Sequence, residues 1–151
     1  MKKVRSKAKQ LTIIGWRETL SLPDLGVVSI KAKIDTGART SALHAFNCQE
    51  FQQEGKQKIR FEIHPLPRSK QQSILAEADL LEYRKVTNSG GQGEIRPVIL
   101  TRIKLGGHCW RGELTLTNRD VMGFRMLLGR QAVRDRFSID PGKSFLQSTR
   151  H

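Results

Sequence analysis

The strongest constraint on the fold of this chain is the alternation of apolar and polar residues with a period of two. In residues 28–35 the side chains of Val28, Ile30, Ala32 and Ile34 fall on one face of a strand, and polar side chains fall on the other. The pattern recurs in residues 58–64, 98–105 and 108–117, and Gly106-Gly107 between the last two predicts a hairpin turn. Half-buried strands must pair into a sheet, so we predict a mainly β domain.

Two segments compete as helices. Residues 73–83 are rich in Ala, Leu and Glu and are compatible with either a helix or a strand. Residues 131–137 predict a short helix that is closed by Asp140-Pro141-Gly142. The sequence shows no internal repeat and no low-complexity tract, so we expect a single domain over residues 11–147, with a basic tail at residues 1–10 and a short tail at residues 148–151.

The charge of the chain indicates an anionic partner. The 151 residues include 27 Lys and Arg against 14 Asp and Glu, for a formal net charge of +13. Such a potential attracts nucleic acid, an acidic membrane surface or an acidic peptide. No apolar run is long enough to span a membrane or to follow the N-terminal charges as a signal peptide, so we expect a cytoplasmic protein without membrane contact.

Cofactor motifs are missing from the sequence. Cys48 and Cys109 are the only cysteines, and we expect reduced, half-buried packing residues, with a disulfide as the minor alternative. The four histidines do not have the spacing of zinc ligands, and residues 90–93 lack the Lys-Ser/Thr of a phosphate-binding loop. We therefore predict no metal, no ATP and no other cofactor, and find no Gly-x-Ser-x-Gly nucleophile motif.

Two separated motifs carry the chemistry. Asp35-Thr36-Gly37-Ala38 follows the alternating strand, with Asp35 on its polar face, although this tetrapeptide also occurs in ordinary turns that end a strand. Met126-Leu127-Leu128-Gly129-Arg130 ends a later apolar strand and leads into the predicted short helix. Together the motifs resemble those of retropepsin-like aspartic proteases, and the resemblance covers roughly residues 11–147.

Further segments resemble, more narrowly, a bacterial retropepsin-like family that has been labelled ATP-dependent zinc proteases. These segments are Gly15-Trp-Arg-Glu18, Leu22-Pro-Asp-Leu-Gly26, residues 32–41 and Arg96-Pro-Val-Ile99. Some members of that family accompany a ligase that adds glutamates to a ribosomal protein. The resemblance implies an all-β, closed retropepsin-like barrel with one short C-terminal helix, active as a homodimer, because the chain carries one of the two motifs that such a site needs.

The resemblance also implies a role for each residue of the motifs. The catalytic group is Asp35, Thr36 and Gly37, with Asp35 of both copies activating one water and Thr36 bonding across the dimer axis. The residues that would contact substrate are Ala38, Arg39, Ser89, Gly90, Gly91 and Gly93, the last four in a glycine-rich flap. The residues that would brace the catalytic loop are Leu127, Leu128, Gly129 and Arg130. A surface hairpin without such a function is the alternative interpretation of the tip at residues 89–93.

Arg39 departs from the retroviral pattern, in which an acidic residue after Asp-Thr-Gly-Ala pairs with the arginine after the apolar-apolar-Gly turn. Arg39 and Arg130 cannot pair, so Arg130 would pair elsewhere, for instance with Glu18 or Asp135, and Arg39 would bind either a substrate carboxylate or a local one. We predict an aspartic endopeptidase that acts on acidic or glutamate-rich peptides. The alternative is a non-catalytic basic module on a degenerate protease fold that binds peptide or RNA, with weak ribosome attraction; the 9 aromatic residues (Trp 2, Tyr 1, Phe 6) form no RNA-stacking motif.

Overall fold

The computed structural model describes residues 10–66, 72–87, 90–119 and 123–149 of the chain. Residues 1–9 of the predicted basic tail at residues 1–10, and Ser89 of the predicted flap, lie outside these ranges. In the described part the strands are β1 (Thr12–Gly15), β2 (Arg17–Leu22), β3 (Val27–Asp35), β4 (Ser41–His44), β5 (Phe46–Gln53), β6 (Lys56–Ile63), β7 (Ile74–Thr87), β8 (Gly93–Leu105), β9 (His108–Thr117), β10 (Met126–Gly129) and β11 (Phe137–Asp140). One α-helix, α1 (Arg130–Val133), and one 3-10 turn at Pro23–Leu25 complete the elements of these ranges.

Nine strands form one sheet in the order β2-β3-β10-β4-β9-β8-β7-β6-β5, and one further pairing, between Ser21 and Lys104, joins β2 to β8. Most neighbours are antiparallel, but β10 runs parallel to β3, and β4 runs parallel to β9. A separate parallel pair, β1 with β11, brings the two ends of the domain together. The prediction of a mainly β domain with one short helix is confirmed.

The alternating pattern places the core on the inner face of the strands. Ile30, Ala32 and Ile34 of β3 are buried as predicted, but Val28 is 86% exposed, and Val27 takes the buried position instead. The cause is a register shift between β2 and β3, where Leu20 pairs with Ile30 but Leu22 pairs with Val27. A bulge adds a residue to one strand and therefore reverses the phase of the side chains beyond it.

The hairpin predicted at Gly106-Gly107 connects β8 and β9, with Leu105 opposite His108. Gly106 has a φ of 58°, in the left-handed region, where a side chain on Cβ is disfavoured. The ambiguous segment at residues 73–83 lies in strand β7, which pairs with β6 over Ile74 to Asp79 and with β8 from Asp79 onward. Long-range strand pairing outweighs the local helix preference of its Ala, Leu and Glu residues.

The C-terminal helix is shorter and begins earlier than predicted. It spans only Arg130–Val133, and Asp135, with a φ of 67°, turns the chain out of the helical conformation. Phe137 does not end the helix but begins β11, where it is buried and pairs with Thr12 of β1.

Candidate active site

Asp35 is the last residue of β3 and begins a tight loop. Its side chain is half-buried, and its Oδ1 accepts a hydrogen bond of 2.9 Å from the backbone N–H of Gly37. The N–H of Ala38 donates to the carbonyl of Asp35 over 3.2 Å and closes the turn. Thr36 and Gly37 are exposed at the loop's crest, and Ala38 is half-buried behind them. The carboxylate is therefore oriented by backbone and still open to a second group.

Strand β10 passes between the two strands that flank this loop. It pairs in parallel with β3, where Gly129 lies opposite Asp35, and antiparallel with β4, where Leu127 lies opposite Ala42. Leu127 and Leu128 are both buried beneath the loop. The N–H of Gly129 donates to the hydroxyl of Ser41 over 3.0 Å, which joins the strand to the far end of the loop.

Position 129 requires a glycine because the backbone of the Asp35 loop lies too close for a side chain, and not because of its own backbone conformation. Its φ of −87° is open to any residue, but a Cβ built there would lie 2.7 Å from the carbonyl carbon of Thr40 and 2.9 Å from the carbonyl oxygen of Ala38. Both neighbours are backbone atoms of the Asp35 loop. The loop can rest directly on β10 only because this position has no side chain.

Arg130 ties the same loop to the start of α1. Its guanidinium donates to the carbonyls of Thr36 and Gly37, over 3.3 and 3.2 Å, and its N–H donates to the carbonyl of Ala38 over 2.8 Å. The expected pairing of Arg130 with Glu18 or Asp135 is not what the structure shows. The loop's carbonyls, left without strand partners by the turn, supply its acceptors instead.

Arg39 is exposed in the loop that Asp35 begins, and within the described ranges its guanidinium has no carboxylate partner. Its backbone carbonyl is occupied, since it accepts from the N–H of Gln131 over 3.1 Å. The loop is thus held at both ends while the side chain of Arg39 stays available to a ligand. The alternative of a local ion pair for Arg39 is not realised among these residues.

The glycine-rich segment that we assigned to the flap lies at the end of the β7–β8 hairpin where β7 connects to β8. Gly90, Gly91 and Gly93 are exposed, and Gly91 has a φ of 83°. In the described part of the chain, the hydrogen bonds of the Asp35 loop go to β10, α1 and Ser41, and none reaches Gly91 or Gly93. The structure brings Asp35 to Arg39 together with Leu127 to Arg130.

Sequence reasoning gave no role to a buried polar cluster near the start of β8, a few residues after that segment. Arg96 is 7% exposed, its Nε lies 3.4 Å from Glu94 Oε1, and its Nη1 lies 3.5 Å from the hydroxyl of Thr115. The hydroxyl of Thr117 donates to Glu94 over 3.0 Å. The hydroxyl of Thr115 in turn donates to the carbonyl of Ser41 over 3.3 Å, so polar contacts run from the hairpin strand to the residue that holds Gly129.

Glu18 is the second residue whose role went unrecognised. It is fully buried on β2, and its two oxygens accept from the N–H groups of Gly15, Leu146 and Gln147 and from the hydroxyl of Ser148, over 2.6 to 3.1 Å. The carboxylate thus fastens the C-terminal segment to the β1–β2 corner. That corner supports the site, because the carbonyl of Trp16 accepts from the N–H of Ile34 over 2.8 Å, one residue before Asp35.

Other candidate chemistry is sparse in the described ranges. Cys48 and Cys109 are free and exposed rather than half-buried. Partial desolvation of the Cys48 thiol by the protein raises its pKa. Among the residues described, no three His, Cys, Asp or Glu side chains are grouped as a metal site would require, and no helix is long and apolar enough to cross a membrane.

Comparison with known proteins identifies a family and a similar solved structure. Residues 13–150 match the family described as RimB-like, retropepsin-like aspartic endopeptidase RimB. A protein of Legionella pneumophila, Lpg0085 (DUF785), of unknown function, has a solved structure that is 30% identical, with a TM-score of 0.78 over 91% of this chain and 99% of that one.

Curated relatives carry a different name. Two proteins called probable alpha-L-glutamate ligase, from Shewanella halifaxensis and Parasynechococcus marenigrum, are 47% identical over 133 residues and 50% identical over 129 residues. These matches cover 88% and 85% of this chain but only 29% and 28% of the relatives, so the chain spans less than a third of their length. The family match extends over nearly the whole described domain, including the Asp35 loop and the β10 strand beneath it, and the chain belongs to the RimB-like family of retropepsin-like aspartic endopeptidases.

Proposed function

We propose that the chain is an aspartic endopeptidase that works as a homodimer, with one Asp35 contributed by each copy. The observation that carries this proposal is the loop's construction. Gly129 lies opposite Asp35, Arg130 binds the loop carbonyls, and Gly37 orients a carboxylate that stays half-exposed. A catalytic carboxylate has to be held rigidly and still reach solvent and substrate, and this loop meets both conditions.

The chemistry needs two such carboxylates. Two carboxyl groups about 3 Å apart cannot both ionise, so they share one proton and titrate as a coupled pair. The charged member takes a proton from a water held between them, and the protonated member donates to the oxygen of the scissile carbonyl. The attacking oxygen comes from water, so no covalent bond forms to the protein and no metal or ATP enters the reaction.

A second copy is the proposed source of the other carboxylate. Thr36 and Gly37 form an exposed crest next to Asp35, where a twofold axis would place the same residues of a partner. Leu11, Ile13 and Leu146 leave exposed apolar surface near the terminal strands, with Ile13 52% exposed. We propose that the six strands from β2 to β8 in the sheet order, which the pairing of Ser21 with Lys104 connects into a ring, form the closed barrel of each copy.

The proposed substrate is an acidic, glutamate-rich peptide, met in the cytoplasm. Three observations support it: the exposed guanidinium of Arg39, which has no carboxylate partner among the described residues, the net charge of +13, and relatives named for glutamate ligation that contain a unit similar to this chain. A planar guanidinium binds a carboxylate through two parallel hydrogen bonds. An enzyme that trims oligoglutamate would remove glutamates of the kind that a glutamate ligase adds.

The test is incubation of the wild type and Asp35→Asn with glutamate-tailed and unrelated peptides, followed by mass spectrometry. We expect the wild type to cleave the glutamate-tailed peptide and Asp35→Asn to produce no fragments. Asp79→Asn is the matched control, because Asp79 is a surface residue of β7 that contacts Lys58 and should leave cleavage unchanged. Identical products from the wild type and Asp35→Asn would refute the enzyme and favour the non-catalytic peptide- or RNA-binding module.

Substrate charge is tested separately. Arg39→Ala should lower kcat/KM for acidic peptides about tenfold and leave neutral peptides nearly unchanged, because the guanidinium contributes only where a carboxylate binds it. Turnover of the acidic peptide should fall steeply between low and high salt. Equal losses on both peptides, or turnover that does not respond to salt, would remove the acidic substrate from the proposal.

A further inference from the structure

A cavity of about 170 Å³ opens behind the Asp35 loop, between α1 and strand β9. Ser41 and Gln131 line the side nearest the loop, while Trp110, Gly112 and Arg136 line the far side. Gln131 also connects the cavity to the loop directly, since its N–H donates to the carbonyl of Arg39. The cavity is therefore lined by a residue that is hydrogen-bonded to the backbone of Arg39, the arginine that we assign to substrate binding.

The far wall of the cavity holds a guanidinium in a fixed place. Arg136 lies over the ring of Trp110, 4.7 Å from its centroid, and its Nη1 donates to the carbonyl of Ala132 over 3.1 Å. The absence of a side chain at Gly112 leaves room for the ring, because a Cβ there would lie 3.1 Å from the indole Nε1. Stacking and one hydrogen bond use the face and one of the five N–H donors of the guanidinium, which leaves the others for a ligand.

The cavity has an excess of unpaired donors. In the described ranges Arg136 has no carboxylate partner, and the exposed amide of Gln131 makes no side-chain hydrogen bond. Glu113 is the only acidic residue at its edge, and its carboxylate is bound to Arg84 over 2.9 Å. A carboxylate is a small anionic group that one guanidinium and one neighbouring amide can bind together.

We infer that this cavity is a second subsite of the same cleft, which takes a glutamate side chain of the substrate two or more residues from the one that Arg39 binds. This inference rests on the proposed function, because it assumes an acidic peptide lying across the Asp35 loop. In an extended peptide, alternate side chains point the same way about 7 Å apart. Successive carboxylates on one face of a glutamate chain thus meet Arg39 first and then the cavity.

Charge changes at Gln131 test the subsite without disturbing the core, because that side chain is exposed. Binding of a glutamate-tailed peptide to the Asp35→Asn protein is measured by calorimetry, which requires no cleavage. Gln131→Glu should weaken binding about fivefold and Gln131→Lys should tighten it about threefold, as expected for one partly screened charge. Arg136→Gln should weaken it about tenfold, with Arg136→Lys recovering part of the loss.

Gln53→Glu and Gln53→Lys are the matched controls, since Gln53 is exposed on the β5–β6 hairpin and changes the net charge equally. Shifts at Gln131 that merely equal those at Gln53 would overturn the subsite, as would an oligonucleotide that responds to the Gln131 series as strongly as the peptide does. The two proposals fail separately. If the peptide binds with the expected shifts but wild type never cleaves it, the subsite stands and the endopeptidase does not.

Discussion

Replacement of Glu18 by glutamine tests whether the C-terminal segment supports the catalytic strand. Both oxygens of Glu18 face donors only: Gly15 and Leu146 on Oε2, and Gln147 and Ser148 on Oε1. Glutamine has the same shape but replaces one oxygen by an NH₂ group. Whichever way the amide is turned, it presents hydrogens to groups that themselves donate.

The size of the effect follows from counting the donors that lose an acceptor. If the NH₂ group takes the place of Oε2, two backbone N–H groups are left unpaired, at Gly15 and Leu146. If it takes the place of Oε1, the hydroxyl of Ser148 can rotate to accept, and only the N–H of Gln147 is lost. The second arrangement is preferred. One unpaired buried donor, together with the loss of charge assistance on the remaining bonds, lowers the free energy of unfolding by about 2 to 4 kcal/mol.

Thermal and urea unfolding measure this change, with Trp16 beside the segment as a fluorescent probe. A loss of about 2 to 4 kcal/mol corresponds to a Tm lowered by about 5 to 15 °C in a domain of this size. Amide exchange at Ile34 should also accelerate, because its N–H is held by the carbonyl of Trp16. Glu54→Gln, in the exposed β5–β6 turn, should stay within about 0.5 kcal/mol of the wild type. A Glu18→Gln protein as stable as Glu54→Gln would refute the reasoning.

Two further predictions concern the loop's support and a titrating pair. Gly129→Ala should lower the free energy of unfolding by about 3 kcal/mol and release the Asp35 loop, because the added Cβ would collide with the backbone of Thr40. The control is Gly107→Ala, which should be nearly neutral in the same urea titration because no atom lies within 4 Å of the added Cβ. Equal effects of the two substitutions would contradict the steric argument. The hydrogen bond to Glu50 raises the pKa of Tyr83 to about 12, and Tyr83 is the only tyrosine of the chain, so tyrosinate absorbance should appear near pH 12 in the folded protein and near pH 10 in guanidinium. This bond therefore stabilises the fold below about pH 10 and ceases to do so as the pH rises through 12; an unshifted titration, or one that Glu50→Gln does not lower, would contradict it.

Local pattern predicts the strands of this fold but not their neighbours. The alternation in residues 28–35 and the glycines between β8 and β9 are local signals, and both elements form where they predict. The insertion of β10 between β3 and β4 joins residues nearly one hundred positions apart, and no local signal encodes it. The resemblance between separated motifs was the only guide to that arrangement. The residues of the Asp35 loop can therefore be identified from the sequence motif. The contacts with β10, α1 and Ser41 that hold the loop in place depend on the tertiary structure.

The alternating pattern also marks two buried charged residues, which sequence analysis did not predict. Glu18 shares its face of β2 with Leu20 and Leu22, and Arg96 shares its face of β8 with Val98, so both charged residues occupy positions that the pattern reserves for the core. A charged group in such a position has to find partners, because its burial without them is strongly unfavourable. An ionisable residue in the apolar phase of a strand therefore predicts a buried polar cluster, although its partners remain unspecified.

The placement of the arginines follows the same physical rule and determines how the site can bind. In the retroviral pattern an acidic residue after Asp-Thr-Gly-Ala would satisfy the arginine that follows Gly129. Here Arg39 stands in its place, and Arg130 is satisfied by the carbonyls of Thr36 and Gly37 instead. The loop thereby keeps its support while the internal ion pair is absent. Among the described residues the guanidinium of Arg39 has no carboxylate partner, and under the proposed function a carboxylate of the substrate would take that place.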